Sequence, residues 1–170
     1  MIINGKSLLE LAPIKNMETS KKVFNGRSYG LAEVGYDIRL KQDIKFDPNG
    51  NFIGEMIYPT VQVGGLVTTG NFCLASAIEE FDMPDNLMGV VHDKSTNIRE
   101  GIQVFNTVIE VGWKGFLTLE IAFHGNKPIT LEAGTPIAQV VFHEVLNPAK
   151  YEGKYQNQED MPVKAILENN

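Results

Sequence analysis

Short runs of apolar residues recur along most of the chain, separated by glycine, proline, asparagine or aspartate. Within residues 36–40, apolar side chains alternate with the polar Asp37 and Arg39. Successive side chains of a β-strand point to opposite faces, so this alternation predicts a half-buried strand. The same pattern continues through Phe46 and ends at a predicted turn over residues 47–50.

Further runs of this kind follow at close intervals, and each is bounded by turn-forming residues. They cover residues 52–58, 61–67, 72–78, 87–91, 102–104, 108–109, 116–121, 129–131 and 137–145. Many short strands with regular turn signals predict an all-β barrel or sandwich. Little of the chain has the spacing of a helix.

One short helix is expected near the N-terminus, within residues 1–12. Leu8, Leu9 and Leu11 supply an apolar face, Ser7 is placed to cap the first turn, and Pro13 ends the helix.

The run at residues 116–121 carries a carboxylate between apolar neighbours. Alternation puts Leu117, Leu119 and Ile121 on one face, and Thr118 and Glu120 on the other. Glu120 is then either a solvent-facing strand residue or an enclosed carboxylate with a chemical role. The pattern alone leaves both interpretations open.

The composition is that of an ordinary globular protein and predicts one domain over residues 1–170. The chain is 43% hydrophobic and 21% charged, which fits a single packed core. It contains no apolar run long enough to span a bilayer and no secretory signal pattern, so no membrane partner is expected. Cys73 is the only cysteine, which excludes a disulfide within the chain and fits a reducing cytoplasm.

Charge and histidine spacing restrict the chemistry further. The net charge of −6 at pH 7 argues against non-specific nucleic-acid binding, although Lys94, Arg99 and Lys154 can still hold a small anion such as a triphosphate. The three histidines show no close pairing, and one cysteine cannot supply the signature of a zinc deaminase. Zinc is therefore not expected.

Four segments, in the same order and at similar spacing, resemble the superfamily that joins dCTP deaminases and dUTPases. GYDIRL resembles its Ser-Tyr-Asp-Leu-Arg-Leu strand, and TTGNFCLASAIEEFDMPDNLMGVVHDKS resembles its two strands and Pro-Asp turn before an Arg-Ser-Ser motif. IEVGWKGFLTLEI resembles its Ile-Asp-Pro-Gly-Trp-x-Gly segment, and AGTPIAQVVF its Pro-Gly-x-x-Ile-Ala-Gln-Leu-x-Phe segment. Matching several motifs in order is far more specific than matching one.

Two features resemble the deaminase branch in particular. Glu120 stands where dCTP deaminases carry their catalytic glutamate, and the polar tail at residues 149–170 is similar to the segment that closes over their nucleotide. The resemblance implies a dUTPase-like, distorted jelly-roll or β-barrel fold and a homotrimer with active sites between subunits. It implies hydrolysis of dCTP to dUTP and ammonia without zinc, with Mg²⁺ bound to the nucleotide phosphates.

The resemblance also assigns roles to individual residues. Glu120 is the expected general base and acid, Ser95 holds the attacking water or the amino group, and Arg99 orients the glutamate. Glu110 falls at the position that binds the sugar, and Asn106 and Thr107 at the positions that read the base. The expected phosphate contacts are Lys94, Thr96, Tyr151, Lys154 and Gln158. The tail at residues 149–170 is then a lid, whereas a polar terminus otherwise predicts a loose end.

The chain also departs from the family pattern, and this leaves alternatives open. The family's Arg-Ser-Ser-Leu-Ala-Arg is Lys-Ser-Thr-Asn-Ile-Arg at residues 94–99, and its sugar-site aspartate is Glu110. The segment after Arg99 has the spacing of a dUTPase. A bifunctional enzyme that yields dUMP, a dUTPase in which Glu110 positions water, and a non-catalytic nucleotide-binding trimer are the alternatives to a dCTP deaminase.

Overall fold

The computed structural model describes residues 1–47, the backbone of residues 66–69, and residues 71–168. Its helices are α1 (Gly5–Leu11) and α2 (Ser95–Arg99). The strands, in chain order, are β1 (Ile2–Ile3), β2 (Lys21–Phe24), β3 (Arg27–Leu31), β4 (Tyr36–Arg39), β5 (Asp43–Phe46), β6 (Leu66–Thr69), β7 (Phe72–Asp82), β8 (Leu87–Asp93), β9 (Ile102–Val104), β10 (Val108–Ile109), β11 (Lys114–Phe123), β12 (Ile129–Leu131) and β13 (Pro136–Glu144). Neither described helix is long and apolar enough to cross a membrane.

The described strands form three sheets. The largest has the order β10-β8-β13-β4-β3-β2, with β1 also paired to β13. A second sheet has the order β7-β11-β9, and a third the order β12-β5-β6. Strands β7 and β11 are antiparallel along most of their length, from Lys114 opposite Asp82 to Ala122 opposite Phe72. The prediction of an all-β fold with a short N-terminal helix is confirmed.

The core lies where the three sheets meet. Phe142 of β13, Phe46 of β5 and Ile121 of β11 are fully buried in one cluster. The rings of Phe46 and Phe123 stack with centroids 5.5 Å apart, which joins the third sheet to the second. This packing fixes the face of β11 that carries Leu119 and Ile121, and so leaves Glu120 on the other face.

Several local predictions were wrong. Strand β4 ends at Arg39, and β5 belongs to a different sheet, because between them the chain pairs with Thr135 and Ser76 instead of continuing one ladder. Strand β4, predicted to be half-buried, is buried on both faces. Its charged Asp37 can lie inside the protein because it forms an ion pair with Lys94.

The predicted N-terminal helix forms, but a different residue occupies its N-cap. Helix α1 begins two residues before Ser7, with Asn4 at its N-cap, so Ser7 lies inside the first turn and does not cap it. The strand predicted at residues 52–58 lies outside the described residues. The same holds for most of the strand predicted at residues 61–67.

Candidate active site

Strand β11 carries Glu120 into a cavity. Leu119 and Ile121 point into the core, whereas Thr118 and Glu120 project from the opposite face. The cavity has a volume of about 470 Å³. Its lining comes from β7, from β10 and the residues on either side of it, from β11 and from the tail. The lining residues are Phe72, Leu74, Thr107, Val108, Ile109, Glu110, Trp113, Leu117, Thr118, Glu120, Tyr151, Tyr155, Gln158, Val163 and Ala165.

Most of the cavity wall is apolar, and this determines the electrostatics of Glu120. Its Oε2 atom is buried and accepts no hydrogen bond within the described part of the chain. Burial raises the pKa of the Glu120 carboxyl group above its ordinary value, because the charged form is poorly solvated there. Glu120 is thus not a solvent-facing strand residue. It is a half-buried carboxyl group in the wall of a cavity, and it can take up and release a proton nearer to neutral pH than usual.

The C-terminal tail folds back on its own chain and forms one wall of this cavity. The backbone N–H of Tyr151 donates to the carbonyl of Val111 at 2.9 Å, and Nε1 of Trp113 donates to the carbonyl of Tyr155 at 2.6 Å. Gln158 then pairs with Gly115 of β11 through its backbone. The tail is therefore held from its first residues onward, and Tyr151, Tyr155 and Gln158 face the cavity.

Thr118, which shares a strand face with Glu120, anchors the next part of the tail. Its hydroxyl oxygen accepts from the side-chain amide of Gln158 and from the backbone N–H of Val163 at 2.9 Å. Farther along, the N–H of Ile166 donates to the Tyr155 hydroxyl at 2.9 Å. These bonds place the tail across the cavity, beside the Glu120 carboxyl group.

The structure gathers only part of the predicted site into this cavity. Glu120, Thr107, Glu110, Tyr151 and Gln158 line it. The other predicted site residues lie outside the lining of the cavity; they are Lys94, Ser95, Thr96, Arg99, Asn106 and Lys154. The side chains of Ser95, Thr96, Arg99 and Asn106 are exposed. Lys94 is mostly buried and forms an ion pair with Asp37. Lys154 is partly covered, and its ammonium lies 3.6 Å from the Glu168 carboxylate.

Helix α2 displays Ser95, Thr96 and Arg99 at the surface. The other two arginines of the chain are both paired, Arg27 with Glu100 and Arg39 with Glu79. Arg99 has no ion pair within the described residues. An unpaired guanidinium next to two exposed hydroxyls is available to a ligand or to another copy of the chain.

Sequence reasoning missed two residues that shape the cavity. Thr118 had a usable signal, because it lies two residues before Glu120 and therefore on the same strand face. Tyr155 had only a weak one, an aromatic residue within a polar tail. Trp113 was expected to pack, and it does so against Phe81, with ring centroids 6.2 Å apart. The contact of its Nε1 atom with the tail was not foreseen.

Within the described ranges, no group of three or more histidine, cysteine, aspartate or glutamate side chains is arranged to hold a metal ion.

Comparison with known proteins shows the family to which this chain belongs. The family model described as dCTP deaminase-like matches residues 15–145, which is most of the chain. The chain belongs to the dCTP deaminase-like family. Among its relatives in this family, the dCTP deaminase of Campylobacter curvus is 37% identical over 155 residues, which cover 82% of each chain. The dCTP deaminase of Chlamydia abortus is 32% identical over 162 residues, which cover 87% of this chain and 83% of the other.

Solved structures show the fold that this family member shares. The 2′-deoxycytidine 5′-triphosphate deaminase of Agrobacterium tumefaciens superposes with a TM-score of 0.57 at 19% identity, over 85% of this chain. The aligned part is 48% of that protein, so this chain spans about half of its length. A mutant dUTPase from phage phi11 of S. aureus, whose structure shows a structural Mg(II) ion, superposes with a TM-score of 0.51 at 11% identity. The superposed part covers 82% of this chain and 92% of the phage dUTPase chain. The prediction of a dUTPase-like jelly roll is confirmed.

Proposed function

We propose that this protein hydrolyses dCTP to dUTP and ammonia. The observation that carries the proposal is the half-buried Glu120 carboxyl group, which lies in a mostly apolar cavity. One of its oxygens has no hydrogen-bond partner among the described residues, and burial raises its pKa. Membership of the dCTP deaminase-like family supports the same conclusion.

Deamination requires a group that can both accept and donate a proton. Glu120 removes a proton from water as the water oxygen bonds to C4 of cytosine, and delivers that proton to N3. The proton of the new hydroxyl group then passes through the same carboxyl group to the amino nitrogen. The C4–N bond breaks, ammonia leaves, and the C4 carbonyl of uracil forms. A raised pKa suits both halves of this cycle, because neither the acid nor the base form is then far from the working pH.

We place Ser95 and Arg99 of a second copy of the chain at the same site. In a single chain these residues lie outside the cavity, and Arg99 is unpaired among the described residues. Apolar surface is exposed at and beside the cavity: Val108, which lines it, is 53% exposed, and Phe105, whose ring lies 6.1 Å from that of the lining residue Phe72, is 44% exposed. Covering this surface with another subunit removes apolar area from water and brings donors to the cytosine. A homotrimer with shared active sites fits both needs.

The rest of the nucleotide is assigned partly to residues that line the cavity and partly to residues that lie outside it in a single chain. We assign reading of the base to Thr107 and Asn106, which follow β9, and binding of the sugar hydroxyl to Glu110. Tyr151, Lys154 and Gln158 of the tail, together with Thr96, are proposed to contact the triphosphate. The substrate is the magnesium complex of dCTP, because Mg²⁺ binds phosphate oxygens and keeps most of its water ligands.

Residues 149–170 then act as the lid of the site. The tail excludes water from the cavity, which strengthens the fixed dipoles that act on the reacting base. We propose that Glu120 activates the attacking water, the role that a zinc ion has in zinc deaminases. The expected cytoplasmic location stays a prediction.

A product assay tests the proposed function. Purified protein is incubated with dCTP or dUTP in the presence of magnesium, and ammonia and pyrophosphate are measured separately. We expect ammonia from dCTP without pyrophosphate. Pyrophosphate from dUTP alone would identify a dUTPase, and both products would identify a bifunctional enzyme. Neither product, with retained nucleotide binding, would identify a nucleotide-binding protein.

A further inference from the structure

The ammonium group of Lys94 lies inside the protein and not at the surface. It forms an ion pair with Oδ2 of Asp37, and the two side chains are only 11% and 5% exposed. The hydroxyl of Ser28 joins them, since it donates to the same Asp37 oxygen at 3.1 Å and lies 3.4 Å from the Lys94 ammonium. These contacts connect β3, β4 and the end of β8.

The Asp37 carboxylate depends on the Lys94 ammonium, because few other groups offset the loss of its hydration. Its second carboxylate oxygen, Oδ1, is buried and has no hydrogen-bond partner within the described residues. Moving the Lys94 ammonium away would leave a buried carboxylate held by a single serine hydroxyl. Separating one partner of a buried ion pair from the other is strongly unfavourable.

Lys94 also occupies the N-cap position of helix α2, immediately before the helix begins at Ser95. Its side chain does not cap the helix and instead fixes the backbone immediately before Ser95. A second tie lies one turn later. The side-chain amide of Asn97 donates to the carbonyls of Pro136 and Ile137, both at 3.0 Å, and its oxygen accepts from Nε of Arg27 at 2.9 Å.

We infer that the Asp37–Lys94 pair is a positioning device that sets the orientation of α2, and that Lys94 does not contact the nucleotide phosphates. This inference rests on the proposed function, in which Ser95 and Arg99 of α2 act on the substrate. Helix α2 has only five residues, too few to hold its own geometry. Two buried polar ties, at Lys94 and Asn97, supply the missing constraint. Asp37 and Lys94 are thus positioning residues that act through Ser95 and Arg99.

A double-mutant cycle separates this role from phosphate binding. If Lys94 acts through Asp37, then Asp37→Asn and Lys94→Met each lower kcat for dCTP by about tenfold or more, and the double variant is no worse than either single one. KM for dCTP changes by less than about twofold in each case, because the interaction lost affects the reacting geometry and not ground-state binding. If Lys94 binds phosphate, Asp37→Asn leaves the ammonium in place and kcat is retained, which would overturn the inference.

Binding of inorganic triphosphate, measured by calorimetry with magnesium present, gives a readout that does not depend on turnover. Lys94→Met is expected to bind it within about twofold of the unmodified protein, whereas loss of a direct phosphate contact would weaken binding by about tenfold. The weaker binding would overturn the inference. Lys22→Met is the matched control, since Lys22 is an exposed lysine on β2.

Two milder variants keep the test decisive if Asp37→Asn does not fold. Lys94→Arg retains the charge and is expected to keep at least about a third of kcat, as rescue of a pairing role requires. Ser28→Ala removes only the bridging hydroxyl and is expected to lower kcat by about two- to fivefold at unchanged KM. Unchanged kcat in Ser28→Ala together with loss in Lys94→Arg would count against the inference. If the unmodified protein releases no ammonia, the proposed function fails, but the triphosphate titration still tests the role of Lys94.

Discussion

The two halves of the proposed site differ in how complete a single chain makes them. On the Glu120 side, β11 and the tail enclose a carboxyl group among apolar walls, and Thr118 ties the tail down. On the other side, α2 presents Ser95, Thr96 and Arg99 to solvent, with no ion pair for Arg99 in the described chain. The first half needs low polarity around the carboxyl group, and a folded chain can supply that alone. The second half needs polar groups that remain unpaired until a substrate or another copy of the chain binds them.

This contrast explains why the two halves are built from different elements. A long strand paired on both sides holds Glu120 rigidly and lets its pKa be set by burial. A short helix, held by buried ties at Lys94 and Asn97, displays hydroxyls and a guanidinium without burying them. In the proposed homotrimer, a site divided in this way would be complete only when two copies of the chain meet.

The largest expected effect comes from removing the proton carrier of the enclosed half. Glu120→Gln keeps the size of the side chain but cannot take a proton from water, so ammonia release from dCTP should fall by about 10³-fold or more. A coupled assay for ammonia measures it. Glu144→Gln, an exposed glutamate on β13, is the control and should be active. Near-normal turnover of Glu120→Gln would remove this residue from the mechanism.

The next effect tests whether the two halves belong to different copies. Arg99→Ala should lower turnover by about 10²-fold, because the oriented cation is lost. Random assembly of equal amounts of Arg99→Ala and Glu120→Gln chains should restore about one quarter of the activity, since one site in four then has both residues intact. Ammonia release after denaturation and joint refolding measures the recovery.

The matched control replaces the Glu120→Gln chain by one that carries both substitutions. No site in that mixture has both residues intact, so no activity should return. No recovery in the first mixture would show that Glu120 and Arg99 are not shared between copies. Recovery in the control would show that the regained turnover does not depend on Arg99.

A smaller effect concerns the tail that closes the enclosed half. Thr118→Val keeps the shape of the side chain but removes the oxygen that accepts from Gln158 and Val163. The tail should then open more often, and KM for dCTP should rise by about tenfold. Hydrogen exchange at the Val163 amide, which donates to that oxygen, should become faster. Thr118→Ser restores the acceptor and should return both values toward normal; fast exchange in Thr118→Ser would contradict the assignment.

The smallest effect is on stability, and its sign follows from the pKa of Glu120. Burial raises this pKa in the folded protein above the ordinary value of 4.5, so the fold binds the proton more tightly than the unfolded chain does. Stability from this group is therefore present below pH 4.5 and is lost as pH rises through the raised pKa. Glu120→Gln has no such loss, so its Tm should exceed that of the unmodified protein by about 2–4 °C at neutral pH.

Thermal unfolding monitored by circular dichroism at acid and at neutral pH checks this difference. The gain of Glu120→Gln should disappear at acid pH, and Glu144→Gln should show no such dependence. A Glu120→Gln protein less stable than the unmodified one at neutral pH would mean that the carboxylate is stabilised by a partner and not penalised by burial.

The amino-acid sequence by itself determined most of the described strands from β4 onward and the direction of Glu120 along β11, whereas it did not indicate β1, β2 or β3. Alternation is a local property, and Leu119 and Ile121 on one face necessarily leave Glu120 and Thr118 on the other. The motifs at residues 35–40, 68–95, 109–121 and 133–142 were sufficient to indicate the family. The expected continuation of β4 into β5 failed because the switch between sheets depends on Thr135 and Ser76, which are distant in the sequence.

Only the tertiary structure decided whether Glu120 faces water or an enclosed cavity. That outcome depends on the tail crossing β11 at Gly115, whose φ of +127° and lack of a side chain admit Gln158; a Cβ there would lie 2.5 Å from the Gln158 carbonyl oxygen. It equally decided that Lys94 pairs with Asp37, although 57 residues separate them. Burial and ion pairing are set by residues brought together from distant parts of the chain, and no local pattern of apolar and polar positions contains that information.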